Sequence, residues 1–235
     1  SGLESLNLGN NYNQSLSGVT FPHALRSLSL AHAFNQSLEG VTLPSGLEAL
    51  RLGNWFNHSL ANVNLPLSLQ SLAFGLNFNQ SLDDVTLPRG LQHLSFHGCF
   101  HQPLDTVLWP LDNLQSLIGG DFRFVKLPKT LRNLTFGISF NQSLVDVTWP
   151  ETLQSLTFGS EFNQPLDHVK LPNSLQHLTF GVEFNQSLEN VILPADLQCL
   201  TFGHAFNQSL RNVNLPSCLQ SLTFKNRHFN GKSLE

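Results

Sequence analysis

The stretch LQSLTFGSEFNQPLDHVKLPNS, residues 153–174, decides the fold. Number its positions as slots 1 to 22. Leu153, Leu156 and Phe158 (slots 1, 4 and 6) are apolar, while Ser155 and Thr157 (slots 3 and 5) are small and polar. Alternation with period two over slots 3–6 predicts a short, half-buried β-strand. Gly159 at slot 7 predicts a turn, because glycine reverses the chain at least steric cost. Pro172 at slot 20 forbids a long helix through that arc. The remaining apolar slots, 10, 14, 17 and 19, follow no helical period. One strand, a turn and an extended or 3₁₀ return therefore describe the unit.

The same unit recurs along the chain. Its first Leu stands at Leu3, Leu25, Leu47, Leu69, Leu91, Leu114, Leu131, Leu153, Leu175, Leu197 and Leu219, in steps of 22 residues apart from one of 23 and one of 17. A single coil of this kind cannot bury its apolar side alone, so neighbouring coils must stack. The expected fold class is all-β: a curved, leucine-rich-repeat-like solenoid of about eleven coils. Residues 1–235 read as one domain, with an irregular shortened coil at 114–130 and a charged, off-pattern C-terminal cap at 219–235.

Composition excludes several function classes. The chain has 235 residues, a net charge of −4 and only 12% charged residues, about half the usual ~25%. That balance fits neither a nucleic-acid-binding polycation nor an acidic disordered tail. No apolar run approaches the ~18 residues of a membrane helix, so no membrane association is expected. Three Cys are too few for a disulfide framework and point to a reducing, cytoplasmic compartment. With no Met, the chain reads as a processed form or an excised fragment.

Phe, at nineteen residues, is over-represented, and the repeat accounts for it. Seven fill slot 6 (Phe74 to Phe224) and eight fill slot 10 (Phe34 to Phe206), with Tyr12 taking slot 10 in the first coil and Phe229 one residue late in the last. Stacked coils turn these into two aromatic columns inside the core, and a ligand-binding aromatic cage is the competing reading.

The string F-N-Q-S/P-L followed by L-P-x-x-L-x-x-L resembles the FNIP repeat family, a 22-residue branch of the leucine-rich-repeat class, over essentially the whole chain. The LPxxLxxL half is also similar to the short repeats of bacterial effector leucine-rich proteins, although Asn here stands at slot 11 rather than slot 9. The resemblance implies a curved solenoid used as a binding surface. Viral and amoebal members join such repeats to F-box or kinase segments; neither signature occurs here, so neither role is implied.

Slot 11 is an Asn column: Asn13, Asn35, Asn57, Asn79, Asn141, Asn163, Asn185 and Asn207. All but Asn163 lie in N-x-S sequons, which suits a glycosylated secreted protein. The alternative, an Asn ladder whose amides satisfy backbone groups left unpaired in the turns, also explains Asn163, where Pro165 breaks the sequon. The ladder is the expected reading, with the column placed inward beside the Phe rings.

Three places are candidates for function. The strand face, formed by slots 2, 3 and 5, is expected to be the concave binding face; in the second half it carries Gln154, Thr157, Gln176, His177, Thr179, Gln198, Thr201, Gln220 and Thr223. An uncharged face rich in donors and acceptors suits an extended protein partner. A second place is the basic cluster Arg123, Lys126, Lys129 and Arg132, at the shortened coil, which a partner's acidic residues would suit. The third is His97, Cys99 and His101, whose imidazole and thiolate groups would suit zinc but whose spacing matches no standard zinc pattern. No metal or other cofactor is therefore expected.

These readings favour a non-enzymatic protein–protein interaction module with no nucleic-acid partner. A carbohydrate- or ice-binding solenoid is the alternative, since slot 5 is a Thr column, and a metal-dependent enzyme comes third. The first coil is as regular as an interior one, which predicts either an upstream continuation of the chain or self-association through the N-terminal coil.

Overall fold

The computed structural model describes residues 2–98, 100–104, 107, 113–120 and 127–226. These fall into two compact units, Ser1–Phe122 and Arg123–Glu235. The first holds β1 (Ser5–Asn7), β2 (Ser27–Ser29), β3 (Ala49–Arg51), β4 (Ser71–Phe74), β5 (His93–Phe96) and β6 (Ser116–Ile118). The second holds β7 (Asn133–Thr135), β8 (Ser155–Thr157), β9 (His177–Thr179), β10 (Cys199–Phe202) and β11 (Ser221–Phe224). Within each unit consecutive strands pair in parallel, one strand per coil, with equivalent slots opposite one another: Leu156 faces Leu178, and Leu178 faces Leu200. Each unit is thus a parallel β-solenoid, and no helix occurs among the described residues.

The coils close through β-turns rather than a 3₁₀ segment, up to three in one coil. In the second coil Phe34 N donates to Ala31 O at 3.0 Å, Val41 N to Leu38 O at 3.0 Å and Leu47 N to Pro44 O at 3.0 Å. The same bonds recur in later coils, as in Leu175 N to Pro172 O at 3.1 Å. The fixed φ of Pro at slot 20 suits the start of the third turn, and its missing N–H costs nothing where only its carbonyl is used. Between turns, stacking supplies the partners: Gln176 N and His177 N donate to Gln154 O at 2.8 and 2.9 Å, and Phe180 N donates to Thr201 O at 2.8 Å.

In the second unit the slot-7 glycines are needed for a reason other than the expected one, although Ala31, His97 and Lys225 take the slot in other coils. Gly159, Gly181 and Gly203 lack a left-handed φ; instead, a Cβ at Gly181 would overlap the Gly159 carbonyl, and one at Gly203 the Gly181 carbonyl. Close approach of successive coils, rather than turn geometry, excludes a side chain. Left-handed φ recurs at slot 16, in Gly18 (φ 76), Gly40 (φ 73) and, without a glycine, His168 (φ 68); at slot 7 it is found in Gly9 (φ 75), in the first coil.

The core is the Leu columns plus two Phe columns. In the second unit slot-6 rings stack at 5.3–5.5 Å from Phe136 through Phe158, Phe180 and Phe202 to Phe224. Slot-10 rings stack at 5.9–6.2 Å from Phe140 to Phe206. Where a coil has Phe at both slots the two rings also pair with each other: Phe180 and Phe184 lie 3.8 Å apart, at 11°. The rings are buried among one another and the Leu columns, with Phe56 also meeting the half-buried His58 ring at 5.9 Å, and no polar or charged residue is buried among the described residues. Phe229, at the C-terminal cap, lies outside the described residues.

Candidate binding face

The strand face of the second unit is built by register. Slot 3 sets Asn133, Ser155, His177, Cys199 and Ser221 side by side, and slot 5 does the same for Thr135, Thr157, Thr179, Thr201 and Thr223. Because side chains alternate across a strand, the Leu at slot 4 points into the core and both polar columns point out. These residues are half-buried or exposed. Gln154, Gln176, Gln198 and Gln220 extend the surface at slot 2, their backbones tied to one another. All nine residues expected on this face are therefore brought together on it. Arg132, at slot 2 of β7's coil, is its charged border, and from Gln154 onward slots 2, 3 and 5 carry no Asp, Glu, Lys or Arg.

The first unit differs. Its slot-2 residues Arg26 and Glu48 form an ion pair at 3.7 Å, with both side chains about half exposed, a geometry worth little in water. Arg51 adds a further cation at slot 5.

The Asn column is a ladder. Asn185 N donates to Asn163 Oδ1 at 2.9 Å, and Gln186 Nε2 donates to the same oxygen at 3.0 Å; Asn207 and Gln208 repeat this on Asn185. The sequon serines have their own structural work, since Ser187 Oγ accepts from Glu189 N at 3.2 Å and Ser37 Oγ from Glu39 N at 3.1 Å. The inward placement of the column is corrected: Asn13, Asn35, Asn57, Asn141 and Asn207 are exposed and the others half-buried, because their amides reach along the coil edge rather than into the core. A second ladder, not foreseen, occupies slot 22, where Ser68 Oγ donates to Leu47 O at 2.6 Å and Thr152 Oγ1 to Leu131 O at 2.8 Å. Its signal was present in the recurrence of Ser or Thr just before slot 1.

The other two candidate places are only partly within the described residues. Arg123 and Lys126 lie outside them; Lys129 and Arg132 are exposed, and the Lys129 carbonyl accepts from Thr152 Oγ1 at 2.6 Å. Cys99 also lies outside. His101 takes the ladder position, its backbone N–H donating to Asn79 Oδ1 at 2.9 Å, and is exposed rather than inward. His97 sits where the strand ends; burial, and then the Arg51 guanidinium, hold its pKa below the ordinary histidine value. Among the described residues no three His, Cys, Asp or Glu side chains are grouped to hold a metal ion. Nor is any helix among them long and apolar enough to cross a membrane.

Residues just beyond the strands escaped the sequence reading. Trp55, Leu76, Ile138 and Val182, at slots 8 and 9, are exposed large hydrophobics. Their signal is an apolar residue where the repeat has no apolar slot.

The geometry can be set beside known proteins. The FNIP Repeat family model matches residues 34–77, 78–108, 113–161, 140–183 and 162–205. A crystal structure of CroV588, described as a novel circular LRR protein, is 40% identical with a TM-score of 0.80, covering 94% of this chain and 33% of that one. This chain therefore spans about a third of that protein's length. YopM from Yersinia enterocolitica WA-314 is 19% identical with a TM-score of 0.47, over 95% of this chain and 55% of that chain. No curated protein matches the sequence. The repeat matches cover well over half of the sequence, and on that ground the chain belongs to the FNIP repeat family.

Proposed function

We propose that this chain is a non-enzymatic protein-interaction module whose strand face in the second unit binds an extended segment of another protein. The observation that carries this reading is the register-locked surface of Gln154, Gln176, Gln198 and Gln220 beside Thr157, Thr179, Thr201 and Thr223. Amides and hydroxyls repeat there every coil, about 4.8 Å apart, at a spacing that suits recognition along the strand-stacking direction. Their own backbone groups are already paired within the sheet, so the side chains are available to a ligand. His177 and Cys199 interrupt the slot-3 column and give the face a place where one partner residue is distinguished from the next.

The test is site-directed cross-linking. A photoreactive residue at Gln198 or Thr201 is expected to capture a partner protein, while one at the return-side residue Asn173 captures none. Adding charge with Gln176→Lys and Thr179→Lys is expected to abolish that capture and leave the thermal midpoint unchanged. Equal capture from Asn173, or capture indifferent to the double variant, overturns the assignment of this face.

A further inference from the structure

In the first unit the edge of each coil just beyond its strand, slots 5 to 9, has a backbone ladder of its own. His32 N donates to Gly9 O at 3.2 Å, Ala33 N to Asn10 O at 2.8 Å, Trp55 N to His32 O at 3.1 Å and Asn77 N to Asn54 O at 2.9 Å. The ladder holds this edge in one arrangement before anything binds, which lowers the ordering cost of a contact.

Three side chains on the edge stand where their neighbours are small. Register sets Arg51 between Ser29 and Ala73, with Ser95 one coil further on. Trp55, at slot 9, follows Ala33 in the coil before it, and Leu76, at slot 8, is followed by Gly98 in the next. Trp55 is 56% exposed and Leu76 47%, and Arg51 is exposed beside them. Apolar surface left in water is unfavourable, and a partner's apolar side chain would cover it. Trp and Arg are also the residues that protein interfaces favour where they are most tightly held.

The charge on this edge has one sign. Residues 7–11, 29–33, 51–55, 73–77, 95–98 and 118–120 include no Asp or Glu, and their titratable side chains are His32, Arg51 and His97. Cys99 and Asp121, which follow in the last two of these coils, lie outside the described residues. Glu48, at slot 2 of Arg51's own coil, is paired with Arg26 at 3.7 Å, and Arg51 forms no ion pair among the described residues. Burial, and then Arg51, lower the His97 pKa, so the field of the guanidinium reaches across the intervening coil that carries Leu76. A carboxylate brought to this place would meet the forked donors of Arg51 and no acidic side chain on the described edge.

We propose that this edge of the first unit is a second interaction surface, which takes a segment of a partner protein carrying an acidic side chain next to a large apolar one. The carboxylate docks on Arg51 and the apolar side chain on Trp55 and Leu76. The surface lies within one unit and uses no residue of the strand face in the second, so the two assignments stand or fall independently.

Isothermal titration calorimetry of the full chain with short synthetic peptides tests it. The probes are a peptide of alternating Asp and Phe, one of alternating Lys and Phe, and one of alternating Asp and Ser. The Asp/Phe peptide is expected to bind with a Kd on the order of tens of micromolar, more weakly as salt is raised. The other two are expected to bind at least tenfold more weakly, because each lacks one of the two features. Arg51→Glu and Trp55→Ala should each weaken Asp/Phe binding tenfold or more, while Gln176→Ala, on the strand face, should bind as the wild type does. An Asp/Phe peptide that fails to bind, that binds no better than the other two, or that binds Arg51→Glu or Trp55→Ala as well as the wild type overturns the proposal. So does a loss in Gln176→Ala as large as that in Arg51→Glu. Unchanged circular dichroism in every variant separates a lost contact from a lost fold.

Discussion

His168 occupies the turn position that Gly18 and Gly40 fill elsewhere, with φ 68. A side chain in the left-handed region costs on the order of 1–3 kcal/mol. His168→Gly relieves that strain and gives back roughly 0.5–1 kcal/mol through the greater freedom of the unfolded chain. The expected outcome is a net gain of about 1 kcal/mol, read from the denaturant midpoint at unchanged slope. A loss would mean that the imidazole makes a compensating contact. His97 permits a pH prediction. Burial, its main cause, and Arg51, its second, lower the folded-state pKa, so the unfolded chain binds the proton more tightly. Stability is therefore expected to fall as pH drops through the ordinary histidine value of 6.5, and to be independent of this group well above it. An NMR titration of the imidazole in Arg51→Ala should show its pKa rising only part of the way back, since the burial remains.

At the scale of the coil, the repeat is held by what passes between neighbours. Slot 7 of the second unit shows this best, because the residue is dictated by the carbonyl of the coil before it. Gly181→Ala places a methyl group on the Gly159 carbonyl, a backbone atom that accepts from Phe162 N at 3.4 Å in its own coil's turn. A loss of roughly 3 kcal/mol is expected, at the upper end for an overpacked site. Its measurement by chemical denaturation should be compared with Gly2→Ala, where nothing lies within 4 Å of the new atom and no effect is expected. Much of the coil was legible in the linear pattern. Ser155, Leu156 and Thr157 alternate as a strand must, and β8 covers those three residues. Asn163 announced a ladder because it kept its place where Pro165 removed the sequon. What could not be read was direction: whether an amide beside a buried Phe turns in or out depends on where the next coil's N–H lies.

At the scale of the molecule, the strand face and the first unit's edge are collections of residues far apart in sequence. Thr179 meets Thr157 and Thr201 across steps of 22 residues. The strand face was legible because its slots repeat in kind from coil to coil. The edge was not, since Arg51, Trp55 and Leu76 each stand where the repeat leaves the residue free, and only their shared exposure makes them a surface. The two predicted partner segments belong to this scale, one tested at Gln176 and Thr179 and the other at Arg51 and Trp55. The sequence by itself determined the period, the strand in each coil and the buried Leu and Phe columns, because burial demands the same residue in every coil. Only the tertiary structure decided why the second unit needs glycine at slot 7, which way the Asn amides point and which exposed side chains share an edge. Those depend on distances between coils, and a linear pattern carries spacing along the chain but not separation across it.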